Sequence, residues 1–176
     1  LHVSDFSDNK NLADLLTAFA RLSAAHPHTR LHIAGNGDFQ QLSSLVQSLH
    51  PRPRHVQLSG PHAPAAIAEL MRTADAFVLC STLETQSLVL IEALLSGIPC
   101  IASTCGGPEN ILSGKEDGVL YPTGNVEALY AAMTGFVTRQ KVSLTDRQQR
   151  SQRNRRRFGS AQRDLQALYH RITARE

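Results

Sequence analysis

Residues 76–104 read AFVLCSTLETQSLVLIEALLSGIPCIAST, and this stretch decides the fold. Each end holds a short apolar run, 76–81 and 99–104, of the length and composition of a buried strand. Between them, 87–96 reads SLVLIEALLS, a helical pattern. Ser87 suits an N-cap, Gly97 suits the first position past the helix, and Pro99 bars its continuation. Strand, helix and strand in so short a span make a parallel crossover unit.

Working outward, the same alternation continues. Further strands are predicted at 1–6, 30–35, 55–60 and 118–122, and further helices at 11–26, 38–50, 63–74, 108–112 and 125–137. In 11–26, Leu12, Leu15, Leu16, Phe19 and Leu22 share one side, and in 38–50 Leu42, Leu45, Val46 and Leu49 do so. The predicted fold is α/β, a Rossmann-like doubly wound parallel sheet of about six strands with helices on both faces. The expected division is a ligand-binding domain over 1–140, an Arg-rich connector or helix over 141–159, and a C-terminal helix beyond 160.

The bulk numbers agree with a folded domain: 176 residues, 41% hydrophobic and 19% charged. No apolar stretch reaches the ~20 residues that span a membrane. The chain opens on Leu1 and moves straight into a strand, so we read it as a piece of a longer protein. Cys80, Cys100 and Cys105 lack metal-ligand spacing and fit a reduced, cytoplasmic setting. Net charge is +3, and the basic excess gathers in RQQRSQRNRRRFG at 147–159. Such a run suits a solvated face, a connector, or contact with anionic lipid heads at the inner face of a membrane. No aromatic interleaving suggests stacked bases, so nucleic acid is not an expected partner.

In a doubly wound sheet, ligands sit outside the carboxyl ends of the strands. The segments leaving those ends are 4–10, 35–38, 60–63, 81–87 and 103–109, rich in Gly, Ser, Asn and Asp. Two carboxylates stand out. Glu92 lies in the apolar helix, with Leu88, Val89, Leu95 and Ser96 as helical neighbours, and is expected to have little solvated face. Such a carboxylate needs a partner: either a structural backbone amide or the hydroxyls of a ligand in the cleft. Glu84 lies in the loop before that helix. The free N–H groups at 87–89, with the helix dipole, suit a phosphate.

These residues carry a resemblance. ETQSLVLIEALLSGIPCIASTCGGPENI resembles the signature of the retaining GT-B glycosyltransferases of family GT4: two glutamates separated by seven residues, then a small residue, Gly-x-Pro, and a strand leading to Gly-Gly. The likeness extends to GNGD at 35–38, VQLSG at 56–60, MRTADAFVLCS at 71–81, KEDGVLYPTGNVEAL at 115–129 and the closing FGSAQRDLQALYHRI. It covers the C-terminal, nucleotide-sugar-binding half of such an enzyme.

By this resemblance, Glu92 holds the nucleotide ribose and Glu84 lies against the donor sugar. The amides around Ser87 and Leu88 hold the pyrophosphate, and Lys10 neutralises it. Gly60, Pro61 and His62 fall where the loop meets the base, with Gly35 and Asn36 nearby. Read alone, Lys10 is a surface lysine, Asn11 a helix cap, His62 a loop histidine, and GNGD a strand-to-helix turn with Asp38 capping. Two departures stand out: Asp5 occupies a position where many relatives carry arginine, and Gln86 replaces an aromatic or small residue.

The resemblance implies transfer of a hexose from a UDP- or GDP-sugar to a glycan or lipid-linked acceptor, as in polysaccharide biosynthesis, with retention and without a cofactor or metal. Charge on the departing diphosphate would be stabilised by fixed donors. An N-terminal acceptor-binding domain of the same chain is an expected partner, without which this segment transfers little. The final helix, 160–173, is expected to reach that domain, leaving Leu165, Leu168 and Ile172 partly exposed. Alternatives are a sugar-nucleotide epimerase, a glycogen-synthase-like polymerase, a non-catalytic nucleotide-binding module, and a flavodoxin-like response module, which Asp5 and Asp8 alone serve poorly.

Overall fold

Each strand is short, three to five residues, and most are bounded by the signals that end one helix and start the next. The computed structural model describes residues 1–112, 114, 116–139 and 142–173, with side chains through Gly159. The strands are β1 (His2–Ser4), β2 (Leu31–Gly35), β3 (Val56–Ser59), β4 (Phe77–Leu79), β5 (Cys100–Ser103) and β6 (Gly118–Tyr121). The helices are α1 (Leu12–Ala25), α2 (Phe39–Ser48), α3 (Pro64–Thr73), α4 (Leu88–Leu95), α5 (Pro108–Ile111), α6 (Val126–Val137) and α7 (Leu144–Thr173). A single 3₁₀ turn, Asp8–Lys10, follows β1.

The six strands pair in parallel as two three-stranded ladders, β1-β2-β3 and β4-β5-β6. The ladders meet along β1 and β4. There the Val78 N–H donates to the Leu1 carbonyl at 2.9 Å. At the next step a side chain takes the backbone's place: His2 Nδ1 donates to the Val78 carbonyl at 2.9 Å. A carbonyl only accepts, so His2 carries its proton on Nδ1, and Nε2 accepts from the Ser4 hydroxyl at 2.8 Å. Burial pushes the His2 imidazole down to about 4, keeping it neutral near pH 7. Across both ladders the strand order is β3-β2-β1-β4-β5-β6, with the reversal between β1 and β4.

Side chains alternate across the sheet. Ile33, Val78 and Ile101 join α1, α2 and α6 in one core. Phe77, Leu79, Cys100 and Ala102 join α3, α4 and α5 in the other.

Residues 144–173 form one helix, so the arginine run is helical. The side chains of Leu165, Leu168 and Ile172 lie outside those described. Asp117, 5% exposed, receives Arg153, Arg157 and the Asn154 amide, while Phe158 packs on the second core. Replacing Asp117 with alanine removes the carboxylate that these donors share and leaves them Glu116, the Leu94 carbonyl and the Asn110 carbonyl. We expect urea unfolding to register a loss of about 2 kcal/mol.

Candidate functional site

The reversal of strand order opens a crevice at the carboxyl ends of β1 and β4, and the loops leaving those strands enter it. The β1 loop is held by its own polar groups. Asp5 Oδ1 accepts from the Ser7 hydroxyl at 2.6 Å and from the Ser7 N–H at 3.3 Å. The Ser7 hydroxyl, more than any other group, lowers the Asp5 carboxyl from its ordinary range. The acid at this departure is thus turned into its own loop. The GNGD turn presses on it from β2. A Cβ at Gly35, whose φ is 148°, would lie 1.7 Å from the Ser4 carbonyl oxygen.

The β1 loop is then strapped to the β4 loop. The Thr82 N–H donates to the Asn9 carbonyl at 2.7 Å, and the Cys80 thiol to the Lys10 carbonyl at 2.9 Å. Lys10 Nζ consequently reaches Glu84 Oε1 at 2.7 Å, and the Ser81 hydroxyl donates to the same oxygen at 2.8 Å. Both partners are largely shielded, with side chains 17% and 13% exposed. Glu84 Oε2 is the oxygen left open among the described residues. The Glu84 backbone is fixed by a bridge to Gly106 and by the Gly107 N–H on its carbonyl at 2.7 Å. Any Cβ at Gly106 or Gly107 would lie 3.0–3.1 Å from that carbonyl oxygen, which accounts for the paired glycines.

The α4 helix points its start into this crevice. Ser87 stands at its N-cap, but its hydroxyl makes no capping hydrogen bond. It is buried and unpartnered. The Leu88 N–H turns back to the Gln86 carbonyl at 2.9 Å. The N–H groups of Ser87 and Val89 have no backbone acceptor among the described residues. A buried orphan hydroxyl beside open N–H groups at a helix start is a receptor for an anion.

Glu92 corrects the sequence reading. It is exposed, as is Leu88 at 64%, because α4 buries Leu90, Ala93 and Leu94, with Val89 and Ile91 partly buried beside them, and leaves these two outside. The apolar face that suggested enclosure is a cleft wall. The Glu92 carboxylate has no ion pair or hydrogen bond among the described residues. Asn11 likewise precedes α1 in a left-handed conformation without capping it, and its amide donates to Asp14 at 2.6 Å.

One cleft of about 1320 Å³ is lined by Lys10, Glu84, Gln86, Ser87, Leu88, Glu92 and His62 together. Gly60 and Pro61 follow β3 just before His62, and Gly35 and Asn36 end β2, but none of these four lines the cleft. His62 Nε2 and His32 Nε2 both meet the Ser59 hydroxyl, at 2.9 and 2.7 Å, which holds the His62 ring at the rim. Sequence reasoning missed Ser81, whose only signal is its seat at a strand end. It also missed the whole α7 wall, including Gln152 and Arg155, which no local motif marks.

A family model described as glycosyl transferases group 1 matches residues 1–157. The chain is 31% identical over 126 residues to an N-acetyl-alpha-D-glucosaminyl L-malate synthase of Bacillus anthracis, covering 71% of the chain and 32% of that protein. It is 36% identical over 124 residues to an alpha-monoglucosyldiacylglycerol synthase of Streptococcus pneumoniae, covering 69% and 27%. Its structure resembles that of Anabaena HepE in complex with UDP, with a TM-score of 0.76, 22% identity, and coverage of 96% of this chain and 48% of that one. The chain thus spans about a third of the length of these curated relatives.

Proposed function

The chain belongs to the glycosyl transferases group 1 family, and from that premise we propose that it is the donor-binding half of a retaining, metal-independent hexosyltransferase. Its donor would be a UDP- or GDP-sugar. The acceptor, a glycan or a lipid-linked glycan, would be held largely by an N-terminal domain, at the cytoplasmic face of a membrane. A relative that makes a glucosylated diacylglycerol and a neighbour solved with UDP support the two substrate classes.

One observation carries the reading. An ammonium and a carboxylate from different ladders meet at 2.7 Å beside the orphan Ser87 hydroxyl at the start of α4, with Glu92 in the same cleft. In the proposed reaction the bond from the anomeric carbon to the diphosphate breaks with its electron pair leaving on the phosphate oxygen, while the acceptor hydroxyl oxygen bonds to the anomeric carbon from the same face and gives its proton to the departing diphosphate. Lys10 and the α4 N–H groups stabilise that charge as it develops. Glu84 orients the sugar through its open oxygen, and the Lys10–Glu84 pair fixes both groups before substrate arrives. Glu92, exposed on the cleft wall, accepts from ribose hydroxyls.

Calorimetry with UDP, GDP and ADP tests this. At least one should bind the chain, and Glu92→Ala should weaken that binding about tenfold, the worth of a hydrogen bond to a charged acceptor. No heat with any of the three would defeat the assignment.

A further inference from the structure

The charged groups lining the cleft leave two unmatched. Lys10 is bound to Glu84, and Arg72 to Glu69. Arg147 is bound to the Arg72 carbonyl and Asp75, and Asp5 is bound to Ser7. Glu92 and Arg155 line the same cleft. Neither side chain has an ion pair or hydrogen bond among the described residues, and they are not paired with each other.

Packing fixes where Arg155 stands. The Arg147 carbonyl oxygen lies against Gly97, the Ser151 hydroxyl donates to the Leu95 carbonyl at 2.6 Å, and the Asn154 amide to the Leu94 carbonyl at 3.3 Å. Numbers rise along α7 as they fall along α4, so the helices run antiparallel. One turn past Ser151, Arg155 is abreast of Ile91 and Glu92, about one turn from the start of α4. Arg155 there lines the same cleft as Ser87, Leu88 and Val89 at the start of α4.

We infer that Arg155 binds the phosphates of the donor nucleotide, supplying from α7 the free positive charge that the β1 loop does not. A diphosphate carries more than one negative charge. The charge of Lys10 is already largely compensated by Glu84. Arginine is always ionised and engages two phosphate oxygens at once. Glu92 and Arg155 would then take the two ends of one ligand, its hydroxyls and its anion. This rests on the donor-binding reading above, which itself does not require any residue of α7.

The test is calorimetry of the chain with UDP and with uridine. Arg155→Ala should weaken UDP about tenfold and leave uridine unchanged. Arg155→Glu should weaken UDP about a hundredfold, and Arg155→Lys should recover only part of the loss. The salt dependence of UDP binding should fall in Arg155→Ala. Unchanged UDP affinity in both Arg155→Ala and Arg155→Glu, while Glu92→Ala weakens UDP and uridine alike, overturns the inference and leaves the donor-binding reading standing. An equal loss of UDP and uridine in Arg155→Ala overturns it too, since that marks a structural role. If the unaltered chain binds none of UDP, GDP and ADP, the donor-binding reading falls and takes this inference with it.

Discussion

Replacing Lys10 with alanine is expected to lower sugar transfer by the protein carrying this chain about a thousandfold. The size follows from position. Removing a fixed donor to a developing negative charge costs about 10²–10³ in rate where water is excluded, and Lys10 has two tasks. In the proposed reaction it faces the departing diphosphate, and in the structure it holds Glu84 Oε1 at 2.7 Å. Without the ammonium, a carboxylate whose side chain is 13% exposed keeps only the Ser81 hydroxyl and swings from its place. Steady-state rates at saturating donor should carry most of the loss, because the charge is greatest in the transition state. A loss confined to KM would assign Lys10 to ground-state binding alone. Full activity in Lys10→Ala would remove this crevice from the chemistry altogether.

The second large effect is on stability. Gly97 has a φ of 77°, and a Cβ there would sit 2.1 Å from the Arg147 carbonyl oxygen. Gly97→Ala therefore combines a left-handed alanine with a clash against the backbone of α7. Strain of the first kind costs about 1 kcal/mol, and relief of the second requires α7 to shift away from α4. We expect a total loss of about 3–4 kcal/mol in chemical denaturation, with weaker nucleotide binding as the α7 wall withdraws. Gly124 supplies the control. Its φ is 73° but nothing lies within 4 Å of an added Cβ, so Gly124→Ala should cost about 1 kcal/mol only. Equal losses in the two variants would show that the approach of α7 contributes nothing.

The crossover unit at 76–104 was legible because its punctuation is local: apolar runs of strand length, a Ser before the helix, a Gly and a Pro after it. The resemblance assigned Lys10 and Glu84 to one site, but their direct pairing across 74 positions of chain was legible only in the structure. Glu92 lines the cleft, one of the two places its sequence left open, but it is exposed there where little solvated face was expected. A run of Leu, Val and Ile signals a helix without saying which of its sides is covered, and here one side lines an opening. Ser87 was legible as a cap by position, while its hydroxyl forgoes the capping bond. The contribution of α7 was not legible at all. Arg155 is one arginine among many in its run, and only the registry of two helices, set by Gly97, Leu95 and Leu94, separates it from Arg153 and Arg157, which hold Asp117.

The His2 imidazole that spans β1 and β4 has a mechanical consequence. A continuous ladder resists shear through a regular series of backbone bonds, but at this boundary the Leu1 amine on Ala76 and the Val78 N–H on Leu1 are followed by one side-chain ring, with the Thr82–Asn9 and Cys80–Lys10 bonds beyond it. Lys10 rides on one plate and Glu84 on the other, so the boundary is a fault line running directly beneath their contact. Any slip between the plates opens the jaws of the site before it disturbs either plate, which makes the tightness of the grip a property of His2 as much as of the two residues that close it.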